Sequence, residues 1–247
     1  MLAIARMIWW PQIVRVLLLC FAALPVQAQS CRHALVLALD VSGSVNPTEY
    51  AQQVEGLATA LNDPEVRSLI LWSADAPVAL AVFEWSSRNH QFIIQPWTSL
   101  DSPAALDQAI LRIRSHQPVR AGLKTGLGTA LTFGATLLEE QSHCWQRTID
   151  VSGDGKNNIG RTPAEAYRMS AFSQITVNAL VVGDPPSASD EGTGISSQAL
   201  VQYYEDEVIH GPRAFAMIAD GHADYARAMR LKLLRELALP IFGRAQF

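Results

Sequence analysis

The chain is short of charge, of basic excess, and of the short motifs that mark common enzymes. Only 17% of its 247 residues are Asp, Glu, Lys or Arg, and 19 basic residues face 23 acidic ones. A net charge of −4 excludes an ordinary nucleic-acid binder, which carries a basic surplus. No Gly-x-Ser-x-Gly, Walker loop or Gly-x-Gly-x-x-Gly occurs, so the usual serine-hydrolase and nucleotide-binding signatures are missing. The six histidines stand at 33, 90, 116, 143, 210 and 222 without metal-ligand spacing, which suits surface or structural roles. No internal repeat or linker divides the chain. With 49% hydrophobic residues full disorder is excluded, and the length suits one ordinary domain.

A mean hydropathy of +0.11 raises the question of where the apolar residues sit. Residues 1–28 hold Arg6 and Arg15, no acid, and an apolar run over 16–24, followed by Pro25 and Val26-Gln27-Ala28. Basic start, short apolar core and small residues before a cut predict a secretory signal peptide. Nine apolar residues cannot cross a bilayer core, which needs about 20. The rival is an uncleaved anchor, because Ile8-Trp9-Trp10 and Ile13-Val14 extend the apolar zone, although Arg15 interrupts it. Leu19 precedes Cys20 where a lipoprotein signal wants a small residue. Nothing after residue 30 is long and apolar enough to span. Removal of 1–28 takes two arginines and no acid, so an exported, periplasmic or secreted chain over 29–247 would carry about −6.

Beyond the leader, apolar runs alternate with amphipathic stretches. Strands are expected over 34–39, 77–85, 90–97, 148–151, 175–182 and 214–219. Helices are expected over 47–61, 65–72, 103–116, around Leu127, Leu131 and Leu138, and over 163–172, 197–209 and 223–237. Arg227, Arg230, Lys232 and Arg235 read as the solvated face of the last helix. The short gap 86–89 predicts a hairpin and one antiparallel edge strand. The economical architecture is a doubly wound, mostly parallel α/β sheet with helices on both faces.

In such sheets ligands sit at the carboxyl ends of the strands. The first strand ends in Asp40-Val41-Ser42-Gly43-Ser44, and the fourth in Val151-Ser152-Gly153-Asp154-Gly155. Between them Lys124-Thr125-Gly126 precedes a helix. Two carboxylates and three hydroxyls form an all-oxygen set suited to Mg²⁺, Mn²⁺ or Ca²⁺ rather than structural zinc. Asp150-x-Ser152-x-Asp154-Gly155 also matches part of a calcium loop, but Arg161 stands where the twelfth-position acid belongs. Taken singly, Asp40 could simply cap the next helix, and Ser-Gly-Ser is common turn chemistry.

Together, Asp-x-Ser-Gly-Ser, the later Thr-Gly-Leu-Gly-Thr-Ala-Leu and the Asp-Gly resemble the von Willebrand factor type A (VWA) domain and its metal-ion-dependent adhesion site (MIDAS). Phe83-Glu84-Trp85-Ser86 and the run 151–158 resemble an uncharacterised exported bacterial branch of that superfamily. The resemblance spans 33–238. It implies a Rossmann-like VWA fold and assigns Asp40, Ser42, Ser44, Thr125 and Asp154 to a Mg²⁺ site. It further implies a protein partner that brings an Asp or Glu to the metal. The rim expected to choose that partner comprises Glu84, Trp85 and Ser86, then Lys156, Asn157 and Asn158, then the loop 183–195. Trp85 reads equally well as core. In the implied fold Cys31 and Cys144 begin neighbouring parallel strands at the end away from the metal, so a disulfide between them is expected.

The alternative is a metal-assisted hydrolase using the same site; no His or Lys is evidently placed as its base. A haloacid-dehalogenase-type phosphatase is excluded because Ser42 stands where its second Asp belongs.

Overall fold

The structure, a computed structural model, describes residues 30–119, 122–183 and 197–238. The leader, most of the loop expected at the rim, and residues 239–247 lie outside the described residues. Six strands form one sheet: β1 His33–Asp40, β2 Val78–Trp85, β3 Gln91–Ser99, β4 Gln146–Gly153, β5 Thr176–Gly183 and β6 Ala216–Asp220. Their order is β3-β2-β1-β4-β5-β6. β3 pairs antiparallel with β2, and the remaining pairs are parallel. The doubly wound sheet with one antiparallel edge is therefore present.

Alternation along β1 divides the core. Leu35, Leu37 and Leu39 join one apolar cluster with α1 Pro47–Asn62, α2 Pro64–Ile70, α3 Pro103–Ser115 and α7 Tyr225–Leu237. Ala34, Val36 and Ala38 join the other, with α4 Leu127–Glu139, α5 Pro163–Ala166 and α6 Ser197–Tyr203. The helix starts are chemically specified. Asn46 and Glu49 form a capping box ahead of Pro47, and Asp63 ends α1 while capping α2.

Two expected helices are interrupted. The stretch 163–172 gives only the single turn α5; Met169 turns extended and a 3-10 turn, Ser170–Gln174, follows. That break lets Tyr167 stack on His210 and lets Phe172 pack edge-on against Tyr167. The stretch 197–209 becomes α6 followed by a π turn, Tyr204–Val208. The wider turn accompanies burial of the Tyr204 side chain beneath the β4 tip, its hydroxyl donating to Gly155 O at 3.2 Å.

Lys232 is a correction. It is fully buried, its Nζ 2.7 Å from both Asp150 Oδ1 and Glu236 Oε1, so it is no part of a solvated face. Arg227 does pair at the surface with Asp224, and Arg230 with Asp63 and Glu65. At the far end of the sheet Cys31 and Cys144 form a disulfide, Cα atoms 4.5 Å apart across 113 residues of sequence. No helix among the described residues is long and apolar enough to cross a membrane.

Candidate metal centre

β1 and β4 are neighbours, and the segments that leave their carboxyl ends go to opposite faces, α1 to one and α5 to the other. The crevice opened there is where doubly wound sheets place ligands. Asp40 ends β1, and its Oδ1 accepts from the Ser42 backbone N–H at 2.8 Å. Ser42 Oγ lies 3.3 Å from Ser44 Oγ. The Ser44 hydroxyl donates to Asp154 Oδ1 at 2.7 Å, and the Thr125 hydroxyl donates to Ser42 Oγ at 3.4 Å. The five residues singled out from three separate stretches thus meet in one hydrogen-bonded cluster, Asp40 joined through the Ser42 backbone N–H and the other four oxygen to oxygen.

Their electrostatics are uncomfortable without a cation. Asp40 is 1% exposed, and its Oδ2 has no hydrogen-bond partner among the described residues. Burial, and then the charge of Asp154, push its carboxyl up to about 8. Burial also raises Asp154, against the opposing hydrogen bond from Ser44. Two carboxylates driven toward their neutral forms, with a buried unpaired oxygen and three hydroxyls beside them, fit a hard divalent ion. Gly153 makes the approach possible. A Cβ there would collide with the Tyr204 hydroxyl and lie 3.2 Å from Asp40 Oδ2.

The residues expected at the rim divide. Glu84, Trp85 and Ser86 are fully buried, so they offer no surface to a partner, and that expectation is corrected. Trp85 packs in the α4-side core. Glu84 is a hub: Tyr50 OH donates to it at 3.0 Å and Val119 N–H at 3.2 Å, and His90 and His116 Nε2 each lie 3.2 Å away. Ser86 holds the chain leading to Thr125, its Oγ accepting from Gly122 N–H at 3.0 Å and its carbonyl from Gly126 N–H at 2.7 Å.

Asn158 braces Thr125. Its Oδ1 accepts from Thr125 N–H and its own N–H donates to Thr125 O, both at 2.9 Å. Asn157 Oδ1 accepts from Gly128 N–H at 3.2 Å in the first turn of α4. Lys156 Nζ stands 5.2 Å over the Tyr203 ring. On the exposed face beside these, Leu123 is 82% exposed, an unusual setting for a leucine.

Several contributors carried no motif. Gln53 Nε2 donates to Asp40 O at 2.9 Å from the buried side of α1. His222, in the turn before α7, is near enough for its charge to pull Asp154 downward. Beneath the site, the Asp150–Lys232–Glu236 cluster joins Asn178, whose Nδ2 donates to Glu236 Oε1 at 2.7 Å. The helical period had a signal for it, since 232 and 236 fall on the same stripe as 225, 229 and 233. Asp150 at mid-strand, paired with lysine, also removes the calcium-loop reading.

The family described as "Protein of unknown function (DUF1194)" matches residues 30–241. Among solved structures, proximal thread matrix protein 1 of the mussel byssus superposes with a TM-score of 0.59 at 15% identity, covering 83% of this chain and 48% of that one. Another structure of that mussel protein has a zinc-occupied MIDAS motif. A von Willebrand factor type A protein from Catenulispora acidiphila gives a TM-score of 0.56 at 14% identity, over 84% of this chain and 43% of that one. The pilus adhesin SpaC of Lactobacillus rhamnosus GG gives 0.60 at 12%, over 85% and 30%. This chain thus spans less than half the length of each. A search among curated proteins returns no sequence match. The fold is that of a von Willebrand factor type A domain, and the chain belongs to the DUF1194 family.

Proposed function

We propose that this protein is an exported, divalent-metal-dependent protein-binding module. Asp40, Ser42, Ser44, Thr125 and Asp154 would hold the ion, Mg²⁺ in the first instance, with Mn²⁺ or Ca²⁺ as alternatives. The observation that carries the reading is the buried, unpartnered Asp40 Oδ2 at the centre of an all-oxygen cluster. A bound divalent ion supplies an electrophilic point at which an Asp or Glu from a partner can replace a water. The chain's own residues set the geometry. Gly153 admits Asp40, Asn158 fixes Thr125, and Ser44 orients Asp154. Lys156, Leu123 and Lys124 form the surface beside them.

Support for a binding role comes from the adhesin and matrix proteins that share the fold, and for a metal from the zinc-occupied mussel site. Support for export comes from the leader signals at 1–28 and from a disulfide, which persists in oxidising compartments. The activity proposed is binding rather than turnover.

Isothermal titration with Mg²⁺ and Mn²⁺ tests the site. Asp40→Ala should lose more than about 100-fold in affinity, beyond the 10–100-fold typical of supporting residues, while circular dichroism stays native. Equal heats from wild type and variant would refute the assignment.

A further inference from the structure

A second feature of the metal-bearing end has no role in holding the ion. Arg88 lies in the turn between β2 and β3, Thr129 in the first turn of α4, and Gly160 and Arg161 between β4 and α5. All follow the carboxyl ends of strands or the loop that carries Thr125, so they share the site's end of the sheet. Arg88, Thr129, Thr132, Gly160, Arg161 and Glu165 line a surface cleft of about 440 Å³. A second of about 400 Å³ adjoins it, lined by Arg161, Glu165, Arg168 and Met169.

Arg88, Arg161 and Arg168 are exposed, and none makes an ion pair with another described residue. Arg161 is nonetheless positioned, its Nη1 donating to Thr132 Oγ1 at 3.2 Å. Gly160, at φ +74°, leaves room beside Arg88: a Cβ there would lie 3.0 Å from Arg88 Cγ. The one acid in the clefts, Glu165, accepts from Thr162 N–H at 2.9 Å through Oε2 in the α5 capping box and also feels the charges of Arg168 and Arg161, which leaves three cations against one acid. Three exposed guanidiniums facing a single acid on one surface are notable in a chain of net charge −4.

We propose that these adjoining clefts seat a carboxylate-rich segment of the same partner that brings its acid to the metal. The proposal rests on the metal-binding reading and adds the partner's chemistry: several acids along one segment rather than a single one. Guanidiniums recognise carboxylates through paired N–H donors. Arg88 and Arg168 flank Arg161 across two clefts rather than closing on one point. Glu165 between them would repel a compact phosphate, whereas carboxylates spaced along a chain can avoid it.

The test uses fluorescein-labelled hexa-aspartate, measured by anisotropy in EDTA so that the metal plays no part. Wild type should bind it, and hexaserine should not bind. The Arg88→Ser, Arg161→Ser, Arg168→Ser triple variant should weaken binding about tenfold or more, as expected for three exposed ion pairs acting together. Arg112→Ser, an exposed arginine on α3, should change nothing. Added salt should weaken the wild type and barely affect the triple variant. Equal binding of the peptide by wild type and triple variant would overturn the proposal. So would wild-type binding to phosphatidylglycerol vesicles or inorganic phosphate without peptide binding. Failure of the metal reading is distinguishable: it appears as absent Mg²⁺ heats in wild type, and leaves the EDTA arm untouched.

Discussion

Lys232→Met is expected to lower folding stability by about 3–5 kcal/mol at pH 8, the usual result of stripping one partner from a buried ionic cluster. Lys232 is the only cation within hydrogen-bond distance of two buried acids, Asp150 and Glu236, among the described residues. Burial, and then the charge of Glu236, push Asp150 well above the usual carboxylate range, and Lys232 opposes that rise. A carboxyl raised by folding stabilises the native state below its unfolded value and loses that contribution as pH rises toward its folded value. Wild type should therefore weaken from about pH 4, the ordinary aspartate value, upward through this group. Without Lys232 the rise is unopposed, so the variant's deficit should be larger at pH 8 than at pH 5. Urea unfolding at both pH values measures it. A deficit under about 1 kcal/mol at pH 8 would show that the cluster is not held by its charges. Neutralising all three groups together, with Asp150→Asn and Glu236→Gln added, should recover most of the loss.

The second large effect is covalent. The Cys31–Cys144 bond closes 113 residues of sequence, which the chain-entropy treatment values at about 4–5 kcal/mol. At roughly 2–4 °C per kcal/mol for a domain of this size, Cys31→Ser with Cys144→Ser should lower Tm by roughly 10–20 °C. Scanning calorimetry of the double variant against oxidised wild type gives the answer. A shift under about 3 °C would mean that the bridge hardly restricts the unfolded chain. Both cysteines are buried beside the far end of β1 and β4, so local packing adds to the loss rather than disguising it.

The sheet was legible because β1 and β5 are buried on both faces, so that β1 reads as an unbroken apolar run over 34–39 and β5 as an apolar run broken only by Thr176 and Asn178. The five oxygen donors were legible for a related reason: strand tips in a parallel sheet are fixed by the strands, and Asp40 and Asp154 stand at two of them. What failed depended on contacts between distant residues. Nothing near Trp85 says that it will be buried in the α4-side core. Nothing near Met169 says that Tyr167 must turn to meet His210. Asn158 has the polarity of a surface residue, yet it holds Thr125, 33 positions earlier. Lys232 departs from expectation for a simpler reason. Its charge points to solvent, but its place on the apolar stripe puts it in the core.

The disulfide also has a mechanical meaning. β1 carries Asp40 at one end and reaches Cys31 at the other, while β4 carries Asp154 and begins just after Cys144. The strands lie side by side, paired from His33 opposite Gln146 to Leu39 opposite Ser152. A pull between the oxygen cluster and residue 31 would run along the length of β1. Its hydrogen bonds to β2 and β4 would then be sheared together rather than peeled one by one. The covalent link would share the tension with β4 at the far end, just as Ser44 joins the two strand tips at the near one. Cutting that link would leave β1 to be withdrawn alone, at lower force, with the oxygen cluster still intact.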